Sequence, residues 1–501
     1  MSLFGIDVGS SSVKISAYSE EGRFLAGVKH DISPLHPAPG LWEQDPEEVW
    51  RAAARGLCEL MRMELVRRDP PKALAISASG RENFPADEDG TPLGNNIMGA
   101  DVRGSEFEAH PAGVPLHEAP LPEAWELSCG HLRERMDPVL RLLWWRKYHP
   151  EVIHKARGYP DWHGFLTQRL CGRNVSEPSL VARWLVYDLK TNAWSPERLA
   201  EYEIPPEFLP EVLPGGTAIG PVLRRVSDEL GLPSDLVIVS GGHDLNCAGI
   251  GAGASRLGTA CLISGSYENM LIPTTQFPTP SMLLRGLSIT PHFGRIERSV
   301  YAICPTGNAV LNWARDTVSL SIAEFTEQLS RRGGDPSPVL ALPYLSGAML
   351  YWRGGRKLRG ALIGLTLATQ PAEIVQAFME SIAYDHVNTL SLLREEGVLV
   401  DQIRATGGGT RSEWWTQLKS DMMGVPIEVA AEEEPGTFGA ALLAGLGVGV
   451  FSDIDEASSA LSATSRTHQP SPERARLHQE RLEQYRRFVP VLLGGIFEDW
   501  H

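Results

Sequence analysis

The residues with chemical potential in this chain are small, hydroxylated or acidic, and they stand at the ends of apolar runs. The first group is Gly5-Ile6-Asp7-Val8-Gly9-Ser10-Ser11-Ser12-Val13-Lys14. Glycine and serine at a strand turn let backbone N–H groups approach phosphate oxygens closely. The hydroxyls of Ser10, Ser11 and Ser12 add donors, and Asp7 beside them is placed to hold Mg²⁺ through water. Read alone, the run is equally a plain hairpin turn capped by Asp7. It is not a Walker A loop, because no GxxxxGK followed by Ser or Thr occurs in it. Ser264-Gly265-Ser266 carries the same chemistry at the start of the second half. By itself it reads as a simple turn, but two such turns facing each other would clamp a polyphosphate from both sides. Gly407-Gly408-Gly409-Thr410-Arg411-Ser412 offers bare backbone for a flat ring, ahead of a helix whose N-terminus favours phosphate. A generic Gly-rich connection is the plainer alternative.

Two further groups suit a hydroxylated substrate. His243-Asp244 follows an apolar strand, where a carboxylate can accept the proton of an attacking hydroxyl. A structural Asp making local loop hydrogen bonds is the commoner fate of such a residue. Arg81-Glu82 combines a donor with an acceptor, which suits a polyhydroxy compound, although adjacent residues of opposite charge are more often a surface ion pair. Asp101-Val102-Arg103 has the same ambiguity. The pairs Trp144-Trp145 and Trp414-Trp415 are assigned to packing.

The elements that must position these groups alternate along the chain. Leu3–Val8, Val13–Tyr18 and Phe24–Val28 read as strands of a meander, with turns at Gly9–Ser12 and Glu20–Gly22. Asp45-Pro46-Glu47-Glu48 opens a helix, with Asp45 as N-cap and Pro46 at the first helical position. Ala73–Ala78 and Leu236–Val239 read as strands, and Pro138–Tyr148 as a Leu/Trp-rich helix. The strand Leu236–Val239 ends in the run Ser240-Gly241-Gly242-His243-Asp244, and Gly-rich sequence continues through Gly253. In the second half Ala260–Ile263, Val300–Ile303 and Ile403–Thr406 read as strands. Ala309–Asp316, Pro371–Leu393, Glu413–Met423, Phe438–Leu446 and Glu473–Phe488 read as helices. Strands alternating with helices define an α/β class. The boundary between two domains is expected in the Gly/Ala stretch 245–255, giving domains 1–246 and 247–501.

Bulk properties agree with a soluble globular protein. A chain of 501 residues with 43% hydrophobic and 22% charged residues is too long for one core and too apolar for extensive disorder. A formal charge of −16 argues against general nucleic-acid binding and against docking on anionic membranes. The six cysteines include no CxxC pair, so free thiols in a reducing compartment are expected. MSLFGIDVGS lacks the pattern of a secretory signal, and no apolar run reaches the roughly 18 residues a membrane span needs. A cytoplasmic protein is the expectation.

Taken in order, these motifs resemble the FGGY family of carbohydrate kinases. The resemblance runs through GIDVGSSSVK, LWEQDPEEVW, DEDGTPLGNNIMGADVRG, LVYDLKTNAW, VIVSGGHD, GNAVLNWARD, LPYLSG, LRGALIGLTL, GGGTRSEWWTQLKSDMMGVPI and EEEPGTFGAALLAG, over about the first 450 residues. It implies two ribonuclease H-like, actin-like ATPase domains with ATP and Mg²⁺ in the cleft between them and the sugar deeper, mainly on the N-terminal lobe. It places the catalytic base on Asp244, which would also touch the substrate. The first phosphate loop falls on Gly9, Ser10, Ser11, Ser12 and Lys14, with Asp7 beside the metal, and the second on Gly265 and Ser266. Gly408, Gly409 and Ser412 fall on the adenosine loop, and Gly307 lines the nucleotide site. Arg81, Glu82 and Asp101 are the candidate sugar contacts. A homodimer, common in the family, is implied as well.

The departures lie in the substrate region. Xylulose kinases usually carry Gly-Gln-Met-His where this chain has Ala78-Ser79-Gly80-Arg81-Glu82. Glycerol kinases carry an Arg-Glu pair there, one residue earlier than Arg81-Glu82 when counted from Ile76. They also have Gln where this chain has Leu245, and Tyr where it has Met136. Asn308 replaces a common Gly at the nucleotide-side helix. The expected activity is therefore ATP-dependent phosphorylation of a hydroxyl of a small sugar or polyol. A ketose such as xylulose comes first, and glycerol or another short polyol is the alternative. A non-catalytic sugar sensor and an actin-like ATPase without a sugar acceptor are the rival classes. The sequence does not distinguish the sugar or the hydroxyl.

Overall fold

A computed structural model describes residues 1–107, 121–134, 136–304, 306–332, 334–347 and 358–493. The first sheet grows from the N-terminus. Ser2–Val8 pairs antiparallel with Ser12–Ser19, which pairs antiparallel with Phe24–Asp31. On its other side Ser2–Val8 pairs parallel with Pro71–Ala78, which pairs parallel with Val237–His243, and Ala218–Pro221 closes that edge. Nearly every residue of Ser2–Val8 and Pro71–Ala78 is buried, as expected for strands covered on both faces. One cover is the helix Pro46–Arg62, started by Asp45, whose carboxylate accepts from the Glu47 N–H at 2.9 Å. Val49, Ala53, Leu57 and Leu60 are its buried stripe and share a core with Ile6, Ile15 and Ile76.

The second sheet repeats that plan. Gly258–Ser264 pairs antiparallel with Glu268–Thr274, and this with Arg298–Cys304. Gly258–Ser264 also pairs parallel with Val400–Thr406, which pairs parallel with Ile427–Ala430. Both lobes thus carry three antiparallel strands whose first strand continues into two parallel strands, and in the second lobe Leu287–Pro291 adds a further antiparallel strand beyond Arg298–Cys304. The sequence predicts strand–turn–strand units in both halves. The shared order of five strands has no sequence repeat behind it, because backbone pairing rather than side-chain identity creates it.

A layer of two helices lies between the sheets. Asp244–Gly251 follows the last parallel strand of the first sheet, and Pro435–Gly447 comes from the C-terminal half yet packs on the first sheet through Phe438, Ala441 and Leu442. Their backbones touch. A Cβ on Gly439 would stand 1.9 Å from the Cys247 carbonyl oxygen, and one on Gly251 would stand 2.1 Å from that of Pro435. Only glycine allows this approach.

The strand expected at Leu236–Val239 runs on through His243, with an irregular register between Val239 and Gly242. Gly241 is required there, since a Cβ would overlap the Ile76 carbonyl at 1.9 Å. The 245–255 stretch is helical up to Gly251, entered through His243 as N-cap. All six cysteines are free. Trp415 and Trp145 are buried, as their packing assignment expects. No helix among the described residues is long and apolar enough to cross a membrane.

Candidate active site

Ligand sites in sheets with parallel strands lie at the strands' carboxyl ends, and the acidic residues singled out above gather there. Asp7 ends the first strand beside Ser77 of its parallel neighbour. The Ser77 hydroxyl donates to Asp7 at 2.6 Å. Burial pushes the Asp7 carboxyl above its ordinary range, Ser77 and Lys14 oppose that shift, and Glu434 adds to it. Gly436, in the first turn of Pro435–Gly447, comes so near that a Cβ would sit 3.1 Å from the Asp7 carboxyl carbon. The turn after Asp7 is closed by the Gly9 N–H donating to the Ser12 carbonyl at 3.0 Å. Ser10 and Ser11 are exposed at its tip, while Ser12 is buried in the strand pairing. Lys14 is not a free cation, because it pairs with Glu434.

Asp244 is the first residue of its helix, and its side chain keeps 36% of its surface open. The Leu245 N–H donates to its carboxylate at 2.6 Å. The protein walls around it push its pKa up to about 7, with Asp7 adding repulsion and Arg183 opposing the rise. The neighbouring His243 is buried and held well below its ordinary pKa by burial and by Arg183 and Arg81. Its Nδ1 lies 3.2 Å from the Tyr301 hydroxyl, which also donates to the Asn246 side chain. A carboxyl that ionises near neutrality in an open recess has the properties of a general base.

Arg81 and Glu82 are neither exposed nor paired with each other, so the surface ion pair is excluded. Arg81 sits buried in a left-handed conformation, φ 72°. Such a conformation is uncommon outside glycine and clusters at functional sites. Its guanidinium meets Glu134 at 2.8 Å and Asp137 at 3.6 Å. Glu82 accepts from the Ser79 hydroxyl, and burial raises its pKa. Asp101 is fully buried and its carboxylate is occupied, by Arg103 and by the Trp42 N–H at 2.6 Å. It braces the loop rather than presenting a free acceptor.

On the second lobe three loops converge. The Asn308 and Ala309 N–H groups donate to the Gly265 and Ser266 carbonyls at 3.0 and 3.2 Å. A Cβ on Gly307 would lie 2.9 Å from both carbonyl oxygens. Gly407, at φ 92°, turns the chain against Ser264, and a Cβ on Gly409 would meet the Ser264 hydroxyl at 2.0 Å. Gly408 and Gly409 open a short 3-10 turn that ends at Ser412, which caps the helix Glu413–Met423. Beneath them Glu268 is fully buried, bonded to Ser264, Lys419 and His386. Lys419, with His386 beside it, holds its carboxyl down at about 2 in spite of burial.

Among the described residues no cluster of three or more His, Cys, Asp or Glu side chains forms a metal cage. Asp7, with Asp244 within electrostatic reach and bare backbone at Gly436, fits Mg²⁺ instead, which takes one or two carboxylates and phosphate oxygens and keeps its waters. Sequence reasoning missed Ser77, Glu434, His131, Arg183, Glu268, Tyr301 and Lys419. The signal for Arg183 was a lone cation inside the apolar run Leu180–Tyr187, which is rare unless the charge has a task.

Family models match both halves of the chain. Residues 2–251 match the N-terminal domain of the FGGY family of carbohydrate kinases, and residues 297–448 match its C-terminal domain. The chain is 27% identical to the L-xylulose/3-keto-L-gulonate kinase of Escherichia coli (strain K12), covering 98% of this chain and 97% of that one. It is 28% identical to a glycerol kinase of Acidovorax ebreus (strain TPSY), over 93% and 94% of the two chains. A ligand-bound xylulose kinase of Lactobacillus acidophilus superposes with a TM-score of 0.86 at 24% identity, over 99% of both chains, and shares the two-lobed actin-like fold.

Proposed function

The chain belongs to the FGGY family of carbohydrate kinases, and from that premise we propose that it transfers the γ-phosphoryl group of ATP to a hydroxyl of a ketose or short polyol, with Asp244 as the general base. The single observation that carries this reading is the Asp244 carboxyl, poised at about 7 in an open recess beside Asp7 and the first serine turn.

In this reading the acceptor hydroxyl lies against Asp244, which takes its proton as the oxygen attacks phosphorus in line. The backbone N–H groups and hydroxyls of Ser10 and Ser11 and of Ser266 hold the phosphate chain from opposite lobes, on turns closed by the Gly9 and Gly265 N–H groups. Bare backbone at Gly307, Gly408 and Gly409 receives the adenosine, and Asp7 holds Mg²⁺. The bound Mg²⁺ would neutralise charge on the phosphate oxygens. Arg81 and Glu82 orient hydroxyls of the acceptor. Closure of the lobes about the glycine-lined helix crossing excludes water and limits futile hydrolysis.

The test is coupled ADP release with Mg·ATP against ketoses, polyols and sugar acids, for the parent protein and Asp244→Ala. Turnover with an acceptor, lost in the variant by on the order of 10²–10⁴, is the expected result. ADP release that no acceptor stimulates would favour an ATPase of the same fold.

A further inference from the structure

The acceptor pocket holds more hydrogen-bond donors than the protein satisfies. Arg183 lies in the short turn Ala182–Trp184, is 7% exposed, and has its guanidinium carbon 5.0 Å above the Tyr301 ring. Among the described residues it makes no hydrogen bond and no ion pair. A buried cation without a hydrogen-bonded partner is costly, and burial, with repulsion from Arg81, draws its pKa down to about 10 against the longer-range pull of Tyr301, Asp137 and Glu134. Its stem stands against Gly80, where a Cβ would lie 3.0 Å from Arg183 Cδ and 2.5 Å from the His243 ring. Arg183 is therefore wedged between the Gly80-Arg81 turn and the residue preceding Asp244.

Its neighbours share the same want. Arg81 spends one nitrogen on Glu134, but its Nε is buried without an acceptor. His131 is buried with both ring nitrogens unbonded, and the nearest carboxylate, Asp137, is 3.8 Å away. Burial, reinforced by the charges of Arg81 and Arg183, holds His131 neutral, so one of its nitrogens is a donor. Glu134 and Asp137 pair with Arg81; they reach Arg183 only at longer range, and no carboxylate hydrogen-bonds it.

From this set of donors we infer that the acceptor is anionic: a linear polyhydroxy carboxylate, an aldonic or keto-aldonic acid, whose carboxylate pairs with Arg183 while a hydroxyl further along the chain reaches Asp244. A planar guanidinium takes a carboxylate through two parallel hydrogen bonds, and the remaining donors at Arg81 and His131 take hydroxyl or keto oxygens. This rests on the kinase reading of Asp244 and adds the charge of the acceptor to it. In the transfer the acceptor oxygen forms a bond to the γ-phosphorus and the bond from that phosphorus to the β,γ-bridging oxygen breaks. ADP leaves with the electron pair, and the hydroxyl proton passes to Asp244. The carboxylate takes no part in bond making.

The experiment compares gluconate with glucitol and xylonate with xylitol, in binding to the nucleotide-free protein by tryptophan fluorescence and in ADP release, for the parent protein, Arg183→Met and Arg183→Lys. Thermal melts check that each variant is folded. The parent should bind and use each aldonate about 10²-fold better than its alditol, the worth of a charge-assisted pair. Arg183→Met should lose at least tenfold more on the aldonate than on the alditol, and Arg183→Lys should recover part of the difference. Equal treatment of aldonate and alditol, failure of both aldonates to bind, or an equal loss on both classes in Arg183→Met overturns the inference. Equal loss would place Arg183 on the transferred phosphoryl group instead. ADP release with neutral acceptors alone would sink the anionic acceptor and leave the kinase reading standing. Aldonate-selective binding without ADP release from any acceptor would sink the kinase reading and leave the charge assignment standing.

Discussion

Asp244→Asn should make the protein less active and more stable, and the two effects should have different pH dependences. The carboxyl is pushed up to about 7 from its ordinary 3.8. An Asp whose pKa is raised by folding holds its proton in the folded state after the unfolded chain has lost it. Stability therefore falls as pH rises from about 4 to about 7, and the penalty is complete above that. The whole shift is not available as free energy, because the side chain is 36% exposed and solvent screens it. After that discount a penalty on the order of 1–2 kcal/mol remains at pH 8. Asparagine is never charged, so the variant should melt a few degrees higher than the parent at pH 8, at roughly 2–4 °C per kcal/mol for a lobe of this size, and alongside it at pH 4. Activity runs the other way. A base with a pKa near 7 is about one-tenth ionised at pH 6 and about nine-tenths at pH 8, so parent kcat/KM should rise about tenfold across that interval. The variant should be lower by on the order of 10²–10⁴ and flat. Coupled ADP release and calorimetric melts at both pH values measure the pair. A variant that melts lower than the parent at pH 8, or a parent already at full rate at pH 6, would refute the account of Asp244 as a desolvated base.

Three further perturbations read other parts of the design. Gly439→Ala places a methyl group 1.9 Å from the Cys247 carbonyl, so the two interlobe helices must separate, at a cost of about 1–3 kcal/mol or more; an unchanged melting temperature would refute the close crossing. Lys419→Met removes a cation from the fully buried Glu268 and should destabilise by about 3–5 kcal/mol while raising the KM for ATP, with partial rescue by adding Glu268→Gln; a double variant as unstable as the single one would argue against direct coupling. Arg81→Ala should raise the KM of the acceptor at least tenfold while the KM of ATP moves by less than about twofold; equal effects on both would remove Arg81 from the acceptor pocket.

Local residue types made the strands, caps and small-residue turns legible. Asp45-Pro46 announces its helix, and the alternation of Val13–Tyr18 its strand, because both signals lie within a few residues. What stayed hidden depends on distant partners. Gly241-Gly242 reads only as the Gly-rich end of the strand until the Ile76 backbone is placed against it, and only then does the strand extend to His243 and set Asp244 at a helix start. Arg81-Glu82 reads as an exposed pair because Glu134 and Asp137 are more than fifty residues further along the chain. The repeated strand order of the two lobes is invisible for a related reason. Its determinants are backbone hydrogen bonds, and different side chains satisfy the same pairing.

The distribution of charge in the cleft bears on how a chain of formal charge −16 accepts a polyanion. The lysine beside each turn is already committed, Lys14 to Glu434 and Lys419 to Glu268. Neither is free to act as a point charge on phosphate. Asp7 and Asp244 add negative charge and raise each other's cost of ionisation. What remains to receive phosphates is neutral: backbone N–H groups at the two serine turns, and the first turns of Asp244–Gly251 and Pro435–Gly447, whose dipoles favour anions. Such a cleft discriminates by total charge. On the proposed reading, free ATP would meet the carboxylates of Asp7 and Asp244, whereas the magnesium complex would bring its own cation to them. The same logic separates the two ends of the site. The nucleotide end uses dipoles and a borrowed cation, and the acceptor end keeps a permanent one in Arg183. An acceptor with its own negative charge can then sit near Asp244 without suppressing the ionisation on which proton transfer depends.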